Sequence, residues 1–381
     1  MVNRKIVVFV LMVAGFALLG LVARHITIPM GFGDSKNYLE MAQAPGTFIS
    51  SPWGYRIGVP YAARGVSQML SLPIQTAFSL LQLSMFGVIM TVLFLWVSSV
   101  LERGGLIGAL CAMLFAFSYP GTYNLHNVVH VGLGEHLFVL LGSMAIYSNR
   151  FFVLCVVIAI SCFVKESGGF LLIPTYLVSA LIFSPWRTAL QRCALLCVAF
   201  LAPFLVLRSG VFFDNHNSLN TYISFYTLDY MRFCWNYWGG PLGAIKQIAF
   251  WFGPLCLLSV VGFFAAPPKL KALAALPILA TIQIALATDV MRMVGVGVPV
   301  MIALSGFTLS RMRATHAVLV VVLCSLHFLT LNHQVVGSIS LIFVYVGTLF
   351  LLWMNRSRLR YASLSGTIAV GPKDLLTYQT K

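Results

Sequence analysis

Residues 4–24 read RKIVVFVLMVAGFALLGLVAR: an uncharged apolar run from Ile6 to Ala23, with Arg4 and Lys5 before it and Arg24 after it. A helix that crosses a bilayer needs about 20 mostly apolar residues, within a range of about 17–25, so this run is long enough. The rival reading is a cleaved secretory signal. Against it, the run is long for the apolar region of a signal, and Val22-Ala23-Arg24 is a poor cleavage site. The stretch therefore reads as a retained anchor, and Arg4 and Lys5 put its N-terminus in the cytoplasm. Outward from it, further apolar runs follow at about 76–98, 105–119, 131–147, 151–164, 168–183, 193–207, 248–266, 272–288, 293–309, 317–331 and 336–354. The expected fold is an all-α polytopic membrane bundle of about 12 transmembrane helices, with interfacial helices in the first exterior loop. Residues 1–354 form a single transmembrane domain in this reading, and 355–381 a short basic cytoplasmic tail.

Composition agrees. Of 381 residues, 60% are hydrophobic and 9% charged, against roughly 45–50% and 25% in soluble domains. With a mean hydropathy of +0.93, such a chain has too little polar surface to be a soluble enzyme and too much apolar surface to be disordered. The formal charge is +15, from 24 Lys and Arg against 9 Asp and Glu. The basic residues sit singly or in pairs between apolar runs, which is an orientation signal and not a nucleic-acid footprint. Alternating sides from a cytoplasmic start puts 15 of the 24 in short cytoplasmic connections and the tails. Two long segments, about 24–75 and 208–247, then fall outside, and both termini inside. No GxxxxGK[ST] nucleotide loop, internal repeat or zinc-spaced His/Cys set occurs. Of eight cysteines, only Cys234 lies in a long exterior loop, so no disulfide framework supports those loops.

The nine acids are the scarcer resource. With this topology Glu102 and Asp374 are cytoplasmic, whereas Asp34, Glu40, Glu135, Glu166, Asp214, Asp229 and Asp289 lie outside or at exterior helix ends. Several stand beside a base, as in Lys165-Glu166 and in Asp289 three residues before Arg292. Ionisable groups at that depth are costly and mark candidate functional sites; the plainer alternative is a few solvated loop charges. Asp34, after Gly31 and Gly33, has two roles open to it: N-cap of a short amphipathic stretch, or general base toward an acceptor hydroxyl. Tyr38 and Ala42, one turn apart, would pack that stretch on the membrane interface. Trp53 and Tyr55 read as interface anchors. Arg56, directly after Tyr55, either forks onto a phosphate or snorkels to lipid headgroups. His126 and His130 have the i,i+4 spacing of metal ligands, with Glu135 and His136 nearby; the alternative is a wet interfacial loop. The aromatic and Asn-rich segment 208–247 suits either sugar stacking, for acceptor recognition, or an aromatic belt.

Four motifs resemble those of the membrane-embedded glycosyltransferases of the GT-C class, bacterial type: GDSKNYLEMA at 33–42, PWGYRIGVPYAA at 52–63, FVKESGGFLLIP at 163–174 and TDVMRMVGVGVPVMIAL at 288–304. The resemblance runs from about residue 5 to 310. Two departures are visible. Asp34 has Ser35 as its neighbour where eukaryotic and archaeal members carry Asp or Glu pairs, and no soluble C-terminal domain follows the last run.

The resemblance implies transfer of a single sugar from a polyprenyl-phosphate carrier to an acceptor on the exterior face, in the inner (plasma) membrane of a bacterium. Asp34 would be the catalytic base; Arg56, Lys165 and Arg292 would hold the donor phosphate. Tyr38, Glu166, Asp289 and His130 would support them, with Glu166 orienting Lys165 and Asp289 orienting Arg292. A single base implies inversion at the anomeric carbon. The partners are the lipid-linked sugar, membrane lipids, and a glycan, lipid or protein acceptor that the sequence does not name, with no nucleic acid. No cofactor is implied and no resident metal site is assigned, although a divalent metal stays open. The alternative function is a multi-pass transporter or lipid/glycolipid flippase, for which twelve spans with both ends inside is a common layout; a non-enzymatic scaffold is a third.

Overall fold

The computed structural model describes residues 4–27, 35–46, 48, 53–101, 104–209, 227–237, 239–283, 294–332 and 338–359. Every regular element among them is helical. The first half comprises α1 (Arg4–Ile26), α2 (Ser35–Gln43), a 3₁₀ turn at Trp53–Tyr55, α3 (Gly58–Leu70), α4 (Ile74–Val100), α5 (Gly104–Phe117), α6 (Tyr119–His126), α7 (Gly132–Tyr147), α8 (Phe151–Val164) and α9 (Ser167–Phe183). The second comprises α10 (Trp186–Arg208), α11 (Leu228–Tyr237), α12 (Gly240–Phe252), α13 (Pro254–Ala265), α14 (Pro268–Leu273), α15 (Ala275–Ile282), α16 (Val298–Arg311), α17 (Ala314–Asn332) and α18 (Ser338–Met354). Prolines set several starts: α4 follows Pro73, α10 follows Pro185, and α13 opens on Pro254. A proline lacks the N–H that a first helical turn leaves unbonded, so it costs nothing there.

Among the described residues, three helices are long and apolar enough to cross a membrane: α1 from Lys5, α4 and α10. At 1.5 Å per residue, the 23 residues of α1 span about 34 Å, against a hydrocarbon core of about 30 Å. The count rises to five if each of two bent pairs is one span: α5 with α6, bent by 52°, and α12 with α13, bent by 95°. The sharper bend turns on Gly253, whose φ of +52° disfavours any residue with a Cβ. A Cβ there would also run into the His327 ring, whose Nε2 lies 2.9 Å from the Phe250 carbonyl oxygen. The other apolar helices are short; α8, with 14 residues, reaches only about 21 Å. Apolar runs in the sequence thus correspond to helices, but helix breaks at Ser118, Gly253 and Pro267 divide them more finely than run length alone implies.

Large apolar side chains face outward along these helices: Leu11 is 65% exposed, Phe152 78% and Val198 62%. An apolar surface of that extent would be unstable in water and is at home in lipid, so the long apolar helices are those of a membrane protein. Inside, α4, α5, α7 and α16 contribute heavily to the main core, through Phe86, Leu93, Leu114, Phe115, Leu140 and Ile302. A second, smaller core forms where α2, the 3₁₀ turn and α3 pack on the end of α4 around Tyr38, Tyr55, Val59 and Phe78. Tyr38 and Ala42 are therefore buried against protein, not spread on a membrane interface, and Tyr55 is buried with them.

Candidate functional site

Beside the smaller core, two buried ion pairs join Arg56, Glu135, Lys165 and Glu166. Arg56 follows the 3₁₀ turn and grips Glu166 with a fork: Nε donates to Oε2 at 3.3 Å and Nη2 to Oε1 at 3.0 Å. Its third nitrogen, Nη1, donates to the Tyr38 hydroxyl at 3.3 Å. Burial alone would lower the Arg56 pKa, and the Glu166 charge lifts it well above the usual arginine value. Burial would likewise raise the Glu166 carboxyl, yet Arg56 holds it down at about 2. Both groups are charged across the whole physiological range.

The second pair joins the start of α7 to the link between α8 and α9. Lys165 Nζ donates to Glu135 Oε2 at 2.6 Å, and Ser167 Oγ donates to Glu135 Oε1. Glu135 lies in the first turn of α7, where the helix dipole favours a carboxylate. Neighbours Lys165 and Glu166 thus form their ion pairs with different partners. The reason is backbone geometry. The helix ends at Val164, Lys165 is extended (φ −166°, ψ 132°) and Glu166 begins the next turn, and successive side chains of an extended link diverge.

Histidines complete the wall. His130 accepts a hydrogen bond at Nδ1 from the Gly132 N–H at 3.0 Å, which leaves its neutral-form proton on Nε2, and its carbonyl accepts from Gln82 Nε2. The ring meets Tyr38 and Tyr123 edge-on, with centroids 5.6 and 5.9 Å apart. His126 is the last residue of α6 and contacts Thr27 Oγ1. The two histidines are therefore not on one helix, and their i,i+4 spacing does not make a ligand pair. Among the described residues, no group of three or more His, Cys, Asp or Glu could hold a metal ion.

A small, largely enclosed cavity of about 10 Å³, room for about one water, lies between these elements, lined by Tyr123, Asn124, His130, Glu135, His136 and Lys165 among others. Two buried atoms on its wall, Asn124 Oδ1 and His136 Nδ1, have no hydrogen-bond partner among the described residues. Buried polar atoms left bare are rare and ask for a ligand or water. The fourth sequence motif reaches the same place through Gly295, where a Cβ would stand 2.9 Å from Pro120 and 4.0 Å from the His136 ring. Tyr38, Arg56, Lys165 with Glu166, and Gly295 thus bring one residue or more from each motif to a single region. Asp34, Asp289 and Arg292 lie outside the described residues.

Sequence reasoning passed over Arg208, at the end of α10. Its guanidinium lies 4.1 Å from the Tyr55 ring centroid and 3.7 Å from that of Phe204, and Nη1 donates to the Phe204 carbonyl oxygen at 3.3 Å. It also acts on Glu166 through its charge. With Arg208 the cluster has three cations against two carboxylates, a surplus of one positive charge. The signal that could have found it was its place among the few basic residues that the expected topology puts on the exterior side.

No family model matches the chain, and no curated protein matches it.

Proposed function

We propose that this chain is a membrane-embedded glycosyltransferase of the GT-C type, with about twelve apolar crossings, both termini in the cytoplasm and the site on the exterior face of the plasma membrane. It moves one sugar from a polyprenyl-phosphate carrier to an acceptor. The observation that carries this reading is the buried, net-positive cluster of Arg56, Lys165 and Arg208 with Glu135 and Glu166, gathered from separated stretches of the chain beside a small cavity with bare polar atoms. Buried ion pairs seldom add stability over a packed apolar core, so a cluster of this size points to a task.

In the proposed reaction an acceptor oxygen attacks the anomeric carbon from the face opposite the phosphate. The bond from that carbon to the phosphate oxygen breaks, the electron pair leaves with the polyprenyl phosphate, and the configuration inverts. Asp34 takes the acceptor proton. The surplus positive charge of the cluster, together with Arg292, stabilises the charge that develops on the departing phosphate. Arg56 and Lys165, already fixed by their carboxylates, need little reorganisation to do so. Asn124 Oδ1 and His136 Nδ1 suit sugar hydroxyls.

The test is reconstitution of the purified chain with a panel of polyprenyl-phosphate sugars and candidate acceptors. A new glycoside and free polyprenyl phosphate are expected. Movement of the intact carrier across the bilayer with no glycoside formed from any donor would overturn the reading in favour of a flippase.

A further inference from the structure

A second cationic site lies far along the chain from the first. α13, the end of α16, the end of α18 and the residues just after it line an open groove of about 270 Å³, walled by Val261, Phe264, Leu352 and Leu359, with Arg311 and Arg356 among its lining residues. Arg311 Nη2 donates to the Ala265 carbonyl oxygen at 3.0 Å, which fixes the guanidinium in place. Its other terminal nitrogen, Nη1, is shielded from solvent and has no hydrogen-bond partner among the described residues. Arg356 stacks on Trp353, 4.5 Å from the ring centroid. Among the described residues neither arginine forms an ion pair. An unpaired arginine nitrogen that water cannot reach is costly. Two guanidiniums over an apolar trough are complementary to a phosphate ester with an acyl chain attached.

We propose that this groove binds one anionic phospholipid, its headgroup phosphate held by Arg311 and Arg356 and its acyl chains along Val261, Phe264 and Leu352. The exposure of Phe264, at 65%, leaves the chain-binding wall open to the bilayer. Charge complementarity selects an anionic headgroup over a zwitterionic one, because the second cation of the pair then meets a net negative charge. The acyl chains separate this ligand from a soluble anion.

The experiment is native mass spectrometry of the full chain taken from nanodiscs of mixed phosphatidylglycerol and phosphatidylcholine. One retained phosphatidylglycerol per chain is expected in the wild type. Retention should fall about fivefold in Arg356→Ala and about 25-fold in Arg311→Ala/Arg356→Ala. Arg311→Lys, which keeps a charge and a donor to Ala265, should lose less than Arg311→Ala. Arg356 and Trp353 are exposed, so Arg356→Ala reports on the groove without disturbing the fold. Equal retention of the two lipids, no loss in the double variant, or an equal loss in the surface variant Arg187→Ala would each overturn the proposal. So would complete displacement of the lipid by inorganic phosphate, since that would make the site one for a free anion.

Discussion

The two arginine-bearing regions of this chain treat their charge in opposite ways. Around Arg56, every one of the named cations stands against a carboxylate or an aromatic face, and the whole set is buried. Around Arg311 and Arg356 there is apolar wall, one backbone carbonyl and a tryptophan face. The first arrangement pairs its carboxylates within a buried cluster, which suits a site that must present charge in a fixed geometry to a passing substrate. The second presents two guanidiniums beside an apolar wall, which suits the lipid proposed to bind there. Scarcity explains the contrast: with 9 acids for 24 bases, carboxylates buried beside one region are not available to the other.

The comparison breaks first if the paired region tolerates loss of a partner. Glu135→Ala strands Lys165 as a buried cation and leaves Ser167 without its acceptor, and should cost about 3–5 kcal/mol. A fall in folded yield and thermal midpoint in detergent would register it; an unchanged midpoint would mean that the pair is wet and flexible. Arg56→Lys keeps the charge but loses the fork onto Glu166 and the bond to Tyr38. A cost of about 2 kcal/mol is expected by the same measurement.

Acid tests the same pair without a substitution. The Glu166 carboxyl sits at about 2 in the folded chain against an ordinary 4.5. Its contribution is complete above the ordinary value and is lost as the pH falls through the folded one. About 1 kcal/mol should disappear between roughly pH 5 and pH 3.5, and Glu166→Gln should remove that part of the pH dependence. The smallest effect sharpens the comparison from outside both regions. Asp229 and Arg232 on α11 approach to 3.7 Å with both side chains largely exposed, and Arg232→Ala should change stability by no more than about 0.5 kcal/mol.

Much of the helical character was legible in the sequence because apolar run length and the lack of charge report directly on lipid contact. The run at 4–24 became α1 almost residue for residue. The breaks were harder to read. Pro120 and Pro254 are visible, but whether such a residue starts a new helix or kinks a continuing one depends on neighbours such as His327, which lies more than seventy residues on from Gly253. The site was legible as a set of residue types, since acids are so few that Glu135 and Glu166 stood out. Its pairing was not. Adjacency implied Lys165 with Glu166, and only the extended link at Lys165 sends the two side chains to Glu135 and Arg56. Arg208 was hidden for a related reason, because an arginine at a helix end looks the same whether it meets headgroups or, as here, Tyr55 and Phe204.

The most direct test of glycosyl transfer is release of polyprenyl phosphate from a lipid-linked sugar, compared between the wild type and Asp34→Asn at matched folded amounts. One carrier phosphate is freed per sugar moved, so release counts turnovers whatever the acceptor. Loss of a general base should slow release by roughly 10²–10⁴-fold while the thermal midpoint stays that of the wild type. Equal release by the two proteins would contradict the account.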